Sequence, residues 1–295
     1  MFYVLIAVMV LCFTVEGLLW KHNKRDKYVS MFGISVWSGI AGVVFGGIWT
    51  IFQPDIWQDI TRQQVLWVFV ISIAMAVRIF AWLGVLKRMH ISIADPLCLM
   101  TIVALIPLAW FFFGGAIIWI EIVLLVVILI FGSSLGYFQG KYEISNCECG
   151  KFKKGLGFLL LWEVFAIPSD LLIQYVSESG LNPAVYQLLR KAMVAIIVVI
   201  VLLIICRKKF KGAIMPALKC PNFIIIGIAS TAGGAAYFAL AGMINVGILN
   251  AINVATSVLI VLGGTFLFKE RIKWYSYIFI AVVLASIIGL SILSG

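Results

Sequence analysis

The chain has 295 residues, of which 64% are hydrophobic and 12% charged; about a quarter of the residues in a soluble domain are charged, so a water-soluble globule is excluded. Its mean hydropathy of +1.15 belongs with membrane proteins. The formal net charge of +10 does not imply nucleic acid as a partner, because the basic residues occupy short connections rather than a domain that could present a groove.

A bilayer core takes roughly 20 apolar residues per spanning helix. Ten such segments fit, at 2–20, 31–52, 66–86, 92–113, 117–138, 156–176, 183–206, 222–244, 248–268 and 275–294. The runs are continuous and lack the polar alternation of an outer-membrane barrel, which makes them helices whose backbone groups are bonded internally. Nothing basic precedes segment 1 and no small-residue cleavage pattern follows it, so it reads as a retained helix with its N-terminus outside. Glu16, near its end, is a proton-coupling candidate; its proximity to Lys21 also allows it to snorkel toward the basic loop.

The connections then alternate in charge. Lys21, Lys24, Arg25 and Lys27 follow segment 1, Lys87 and Arg88 segment 3, and Lys141, Lys151, Lys153 and Lys154 segment 5. Arg207, Lys208, Lys209, Lys211 and Lys219 follow segment 7; Lys269, Arg271 and Lys273 follow segment 9. The even-numbered connections carry only Arg62. The positive-inside rule places the odd connections in the cytoplasm and both termini outside, which fits the inner (plasma) membrane of a cell. Six cysteines form no disulfide framework, and the pair Cys147 and Cys149 lies on the cytoplasmic side, where thiols stay reduced.

Within the apolar segments, ionisable groups are functional candidates. Arg78 lies 9 residues before Lys87, and Glu163 lies 9 residues after Lys154, about 13 Å from the cytoplasmic edge at 1.5 Å per residue. The two either neutralise each other or face a shared cavity, with Glu163 a second proton-coupling candidate. Asp170 and Arg190 flank the turn between segments 6 and 7 and are expected to form an outer-side ion pair. Asn250, Asn253 and Ser257 share one face of segment 9, and Ser230, Gly233, Gly234 and Tyr237 lie on segment 8. The asparagines serve either interhelical hydrogen bonds or a cavity wall. Ser35, Ser38, Gly42 and Gly46 on segment 2 read as a packing face. Trp37, Trp82, Trp110 and Trp162 are interface anchors or apolar walls. No Walker A loop is present, and two histidines without clustered carboxylates argue against a membrane enzyme. No metal or cofactor is expected.

Residues 92–138 align without a gap on 249–295, with Ala94 on Ala251, Phe111 on Phe268 and Gly132 on Gly289. This divides the chain into a five-helix repeat at 1–138, a cytoplasmic linker at 139–155 and a second five-helix repeat at 156–295. Five is odd, so the second repeat is inverted, an organisation found in many secondary transporters. The stretch AYFALAGMINVGILNAINVATSVLIVLGGTFLFKERIKWYSYIFIAVVLASIIGLSI resembles the C-terminal repeat of the drug/metabolite transporter superfamily in its ten-helix EamA-like form. Glu270 stands at the family's recurrent glutamate and residues 285–289 at its closing small-residue stretch. Phe113 and Gly114 replace the glutamate often carried by the first repeat, and segment 2 lacks a basic residue at its start. Glu16 is similar in place to the helix-1 glutamate of the small multidrug resistance proteins in the same superfamily.

The resemblance implies an all-α polytopic membrane protein of ten transmembrane helices in two inverted five-helix repeats, moving a small organic metabolite by alternating access. Efflux of an amino-acid-like or amphipathic compound is favoured. The expected partners are the bilayer, the substrate, protons in a coupling role and, as an open option, a second copy in a homodimer. Rival readings are a membrane-embedded enzyme or flippase acting on a lipid-linked substrate, and a non-transporting subunit. Substrate contacts are expected from Arg78, Glu163, Tyr237, Asn250 and Asn253.

Overall fold

The computed structural model describes residues 1–22, 26–58, 60–88, 98, 100–114, 118–144, 149–205, 207–268 and 274–294. Ala94, Cys147, Cys206 and the charged turn carrying Lys269, Glu270, Arg271 and Lys273 lie outside the described residues. All regular structure among the described residues is helical: α1 (Phe2–His22), α2 (Lys27–Phe52), α3 (Arg62–Leu86), α4 (Met100–Phe113), α5 (Trp119–Ile144), α6 (Cys149–Glu178), α7 (Pro183–Ile205), α8 (Arg207–Leu218), α9 (Pro221–Ala241), α10 (Val246–Phe268) and α11 (Trp274–Ser294), with a 3-10 turn at Pro54–Trp57. Six of these are long and apolar enough to cross a membrane, in an architecture consistent with a helical membrane protein.

Polar residues at the helix starts supply the hydrogen bonds that the first turn cannot make internally. The Asp26 carboxylate accepts from the Tyr28 N–H at the start of α2. Thr61 and Gln64 form a reciprocal capping box on α3. The Asn182 Oδ1 accepts from Ala184 N just ahead of α7, and the Asn245 Oδ1 accepts from Gly247 N at α10. Gly180, with φ of +83°, makes the left-handed turn that reverses the chain between α6 and α7.

Two helical regions exceed the sequence expectation. The linker placed at 139–155 is mostly helix, because α5 runs on to Ile144 and α6 starts at Cys149. The basic connection after segment 7 folds into α8. Hydropathy marks the apolar span, whereas lysine, glutamine and glutamate propagate a helix beyond it with little penalty.

The long helices pack in a recurring pattern. α1 lies on α9 and α3 on α6, with α2 against α7 between them; α5 packs on α11 to one side. α2 also reaches α9, as α3 reaches α7. Glycines set the closest approaches. The Gly227 backbone of α9 lies so near α2 that a β-carbon there would stand 2.7 Å from the Trp37 carbonyl carbon and oxygen. On α2, Gly39, Gly42 and Gly46 receive Ala195, Lys191 and Leu188 of α7. The expected packing face of α2 is therefore divided between two roles, since Ser35 and Ser38 border a cavity instead.

This geometry predicts that Gly227→Ala will destabilise the protein by about 1–3 kcal/mol, the range for overpacking against atoms that cannot rotate away. Gly47→Ala, where a β-carbon would meet nothing within 4 Å, will be neutral or stabilising. Thermal unfolding of the detergent-solubilised variants checks both.

Candidate functional site

A cavity of about 350 Å³ lies between α1, α2, α3, α4, α6, α7, α9 and α10. It gathers most of the sequence candidates, since Glu16, Arg78, Asp170, Arg190, Tyr237, Asn250 and Asn253 all border it. Its lining comes from the second halves of α1 and α3 and the first halves of α2 and α4, whereas in α6, α7, α9 and α10 it runs through the middle, from Trp162 to Ile173, Arg190 to Val194, Ser230 to Tyr237 and Asn250 to Ile260. The cavity thus lies across the middle of the bundle and extends toward the end where α1 and α3 finish. Trp82 and Trp162 form part of the wall, with ring centroids 6.0 Å apart, and Trp20 adds a third indole. Trp110 points away and is 55% exposed.

Arg78 extends from α3 to α6. Its Nη1 lies 3.1 Å from the Asp170 Oδ1 and donates to the Ser169 Oγ at 2.9 Å, while the guanidinium sits 4.5 Å from the centroid of the Trp162 ring. The ion pair joins Arg78 to Asp170, so of the two readings open for Arg78 and Glu163, equal depth did not bring mutual pairing. Glu163 and Asp170 are seven residues apart, two turns along one face of α6. Glu163 is half-buried behind Thr101, whose hydroxyl donates to Glu163 Oε2; Glu163 Oε1 is buried without a partner. Its charged neighbours are Arg78 and Asp170, but it does not itself border the cavity.

The expected outer pair of Asp170 and Arg190 is also rearranged. Asp170 is taken by Arg78, and the Arg190 Nη2 donates to the Gln187 Oε1 at 2.7 Å, one turn earlier on α7. The guanidinium lies 5.1 Å from the centroid of the Tyr186 ring, and Nε has no hydrogen-bond partner. Room for this arrangement comes from Gly234 on α9, where a β-carbon would stand 2.7 Å from Arg190 Nη2.

Lys191, absent from the sequence candidates, is the second cation of α7 at the cavity. Its stem is held in the groove at Gly42 and its Nζ donates to the Ser230 Oγ at 2.7 Å. Glu16 faces it from α1, within the field of both Lys191 and Arg190, and accepts from Trp20 Nε1 at 3.3 Å. Glu16 thus borders the cavity, whereas residues 23–25 of the basic loop lie outside the described residues. An amino group within an apolar segment was the available signal for Lys191, masked by the arginine beside it. Thr101, Ser169 and Gln187 carried no such signal, since uncharged polar residues recur throughout these helices.

On the remaining wall, Asn250 Nδ2 donates to the Tyr237 hydroxyl at 2.8 Å and to the Val246 carbonyl at 2.9 Å. Asn253 Oδ1 accepts from Thr256 at 2.9 Å. Both asparagines are hydrogen-bonded and both border the cavity, so the two roles left open by the sequence coexist.

No protein-family model matches the chain, and no curated protein matches it. Among solved structures, 28 chains match. One of them, described only as the crystal structure of a protein, is similar with a TM-score of 0.65 at 11% identity, over 98% of this chain and 97% of the other. At that identity the likeness establishes a shared fold.

Breaking a buried ion pair on one side leaves a charge without compensation, whereas replacing both partners by apolar groups is far less harmful. Arg78→Met and Asp170→Leu should each destabilise by about 3–5 kcal/mol, and the double variant by less than their sum. A double-mutant cycle on thermal unfolding in detergent checks this; strict additivity would show that the pair contributes nothing.

Proposed function

We propose that this protein is a secondary transporter of a small organic metabolite, a ten-span member of the drug/metabolite transporter superfamily working by alternating access. The carrying observation is the charged cavity enclosed by an otherwise apolar bundle, with walls drawn from both proposed repeats. Secondary transporters hold their cargo in such a chamber, near mid-depth and between repeats.

The helix packing supports the inverted-repeat reading. If α1–α5 correspond to α6, α7, α9, α10 and α11, the pairing of α1 with α9 corresponds to that of α3 with α6. The contacts α2–α7 and α5–α11 map onto themselves. The span count is supported by four shorter apolar stretches, 104–113, 119–131, 246–260 and 277–290, beside the six long spans. By the positive-inside rule, the end toward which the cavity extends through α1–α4 is the cytoplasmic one.

The opposite end is fastened by polar contacts between helices. Gln64 Nε2 donates to the Ser179 carbonyl and hydroxyl at 3.1 and 2.9 Å, and Gln63 donates to the Tyr175 hydroxyl at 3.3 Å. Gln174 accepts from the Val246 N–H at 3.0 Å. Alternating access requires this fastening to release while the cytoplasmic helix ends close. A cytoplasm-facing cavity suits efflux, and an amphipathic or amino-acid-like cargo suits its mixture of charge and indole. Glu16 and Glu163 are the candidates for carrying a coupled proton.

Purified protein in proteoliposomes is expected to move one or more members of a metabolite panel. Arg78→Ala should reduce flux by about tenfold or more, the effect of losing a charge-assisted contact, and Glu163→Gln should change its dependence on a proton gradient. Flux indifferent to both substitutions would remove the site assignment. Flux absent across the panel, with lipid scrambling or hydrolysis in its place, would favour a flippase or enzyme.

Orientation has its own test. A cysteine introduced at Lys219 should react with a membrane-impermeant maleimide only after the cell is opened. Labelling from outside in intact cells would reverse the topology.

A further inference from the structure

Among the described residues, five charged side chains border the cavity: the cations Arg78, Arg190 and Lys191 against the carboxylates Glu16 and Asp170. One positive charge is left in excess. Arg78 and Asp170 satisfy each other, with Ser169 and Trp162 completing the arginine's surroundings. The imbalance therefore falls on α7, where Arg190 and Lys191 adjoin; Glu16 faces both, and Asp170, already paired with Arg78, lies in the field of Arg190 alone of the two. Glu163 stands off the cavity wall, with Arg78 and Asp170 as its charged neighbours.

We propose that the cavity binds an organic monocarboxylate with an aromatic or apolar body, its carboxylate held by Arg190 and Lys191. This rests on the transport reading and, of the two cargo types named there, takes the amphipathic one in place of the amino-acid-like. Both cations are strongly buried, at 6% and 8% exposure, and an uncompensated buried charge is unfavourable until a counter-charge arrives. Among the described residues, Lys191 has one of its three donors on Ser230, and the Arg190 guanidinium has Nη2 on Gln187. A carboxylate matches a guanidinium in geometry and accepts from an ammonium in the same plane.

Charge balance narrows the choice further. A monoanion cancels the single excess charge, whereas a dianion such as a phosphate monoester would reverse it. A zwitterion brings an ammonium for which the wall holds no unclaimed carboxylate, since Asp170 is bound to Arg78, and Glu16 faces Lys191 and Arg190. The indoles of Trp20, Trp82 and Trp162 offer the body an apolar surface, and a chamber of about 350 Å³ is at the small end of ligand pockets.

The test uses full-length protein in lipid nanodiscs and calorimetric titration with compounds that share a phenyl body: phenylacetate, 2-phenylethanol, phenethylamine, phenylalanine and phenyl phosphate. Phenylacetate should bind at least about tenfold more tightly than each of the others, as a charge-assisted contact implies. Arg190→Gln and Lys191→Gln should each weaken it by about tenfold or more, while Lys191→Arg, which keeps the charge, should retain binding. Size-exclusion profiles identify variants that fold, and the conclusion is drawn from those.

No binding of phenylacetate to the unaltered protein, or equal binding of phenylalanine, phenethylamine or phenyl phosphate, would overturn the proposal. So would a folded Lys191→Gln protein that binds phenylacetate unchanged. Flux is measured separately in proteoliposomes. Transport of another cargo without carboxylate binding defeats the proposal and spares the transport reading; carboxylate binding without any flux does the reverse.

Discussion

A charge inside an apolar bundle is tolerated only with a partner or a cavity beside it, and the ion pair of Arg78 with Asp170 is where this constraint acts most directly. It ties α3 to α6 in surroundings where either group alone would be disfavoured by several kcal/mol. Ser169 and the Trp162 ring add a hydrogen bond and a cation–π contact to the same guanidinium. The polar side chains of the surrounding helices follow the same constraint: Glu16, Lys191 and Ser230 converge opposite, and Tyr237 and Asn250 bond across α9 and α10. The cavity is the space these groups leave between them.

Close helix packing decides which residues take part. The glycines of α2 let α7 approach until the Lys191 stem lies against Gly42, which aims its amino group at Ser230 and away from the apolar exterior. Gly234 on α9 leaves the volume occupied by the Arg190 guanidinium and the Gln187 amide. Small residues thus act on the site without touching a ligand: they admit long charged side chains to positions that any β-carbon would occupy. Distant from the cavity, Gln63, Gln64 and Gln174 link the other helix ends through neutral hydrogen bonds. Such bonds are individually modest and can be exchanged for water when helices separate.

The membrane character of the fold was legible because the apolar segments exceed any need of a soluble core, and their limits were read to within a few residues over most of the chain. α8 and the helical ends of α5 and α6 were not, since composition reports burial in lipid and not hydrogen bonding. For the site, the rule that intramembrane charges are functional led to Arg78, Asp170, Arg190 and Glu16, all at the cavity. The same rule applied to Lys191 and was not followed there. It could not choose partners: Arg78 was set beside Glu163 by equal depth, with mutual neutralisation and a shared cavity both open, and Asp170 was assigned Arg190 by proximity to a turn.

The amino-acid sequence by itself determined an all-helical apolar chain, the approximate limits of its long helices and the small set of charges that must be accommodated within them. Each follows from local composition, which sets the free energy of placing a segment in water or in an apolar phase. Tertiary structure alone decided that Arg78 meets Asp170, that Glu163 stands behind Thr101, and that Lys191 and Glu16 face one chamber. Depth along a helix can be counted from residue numbers. The direction a side chain points depends on the rotation of each helix about its axis, and in helices apolar on every side only packing against neighbours sets that rotation.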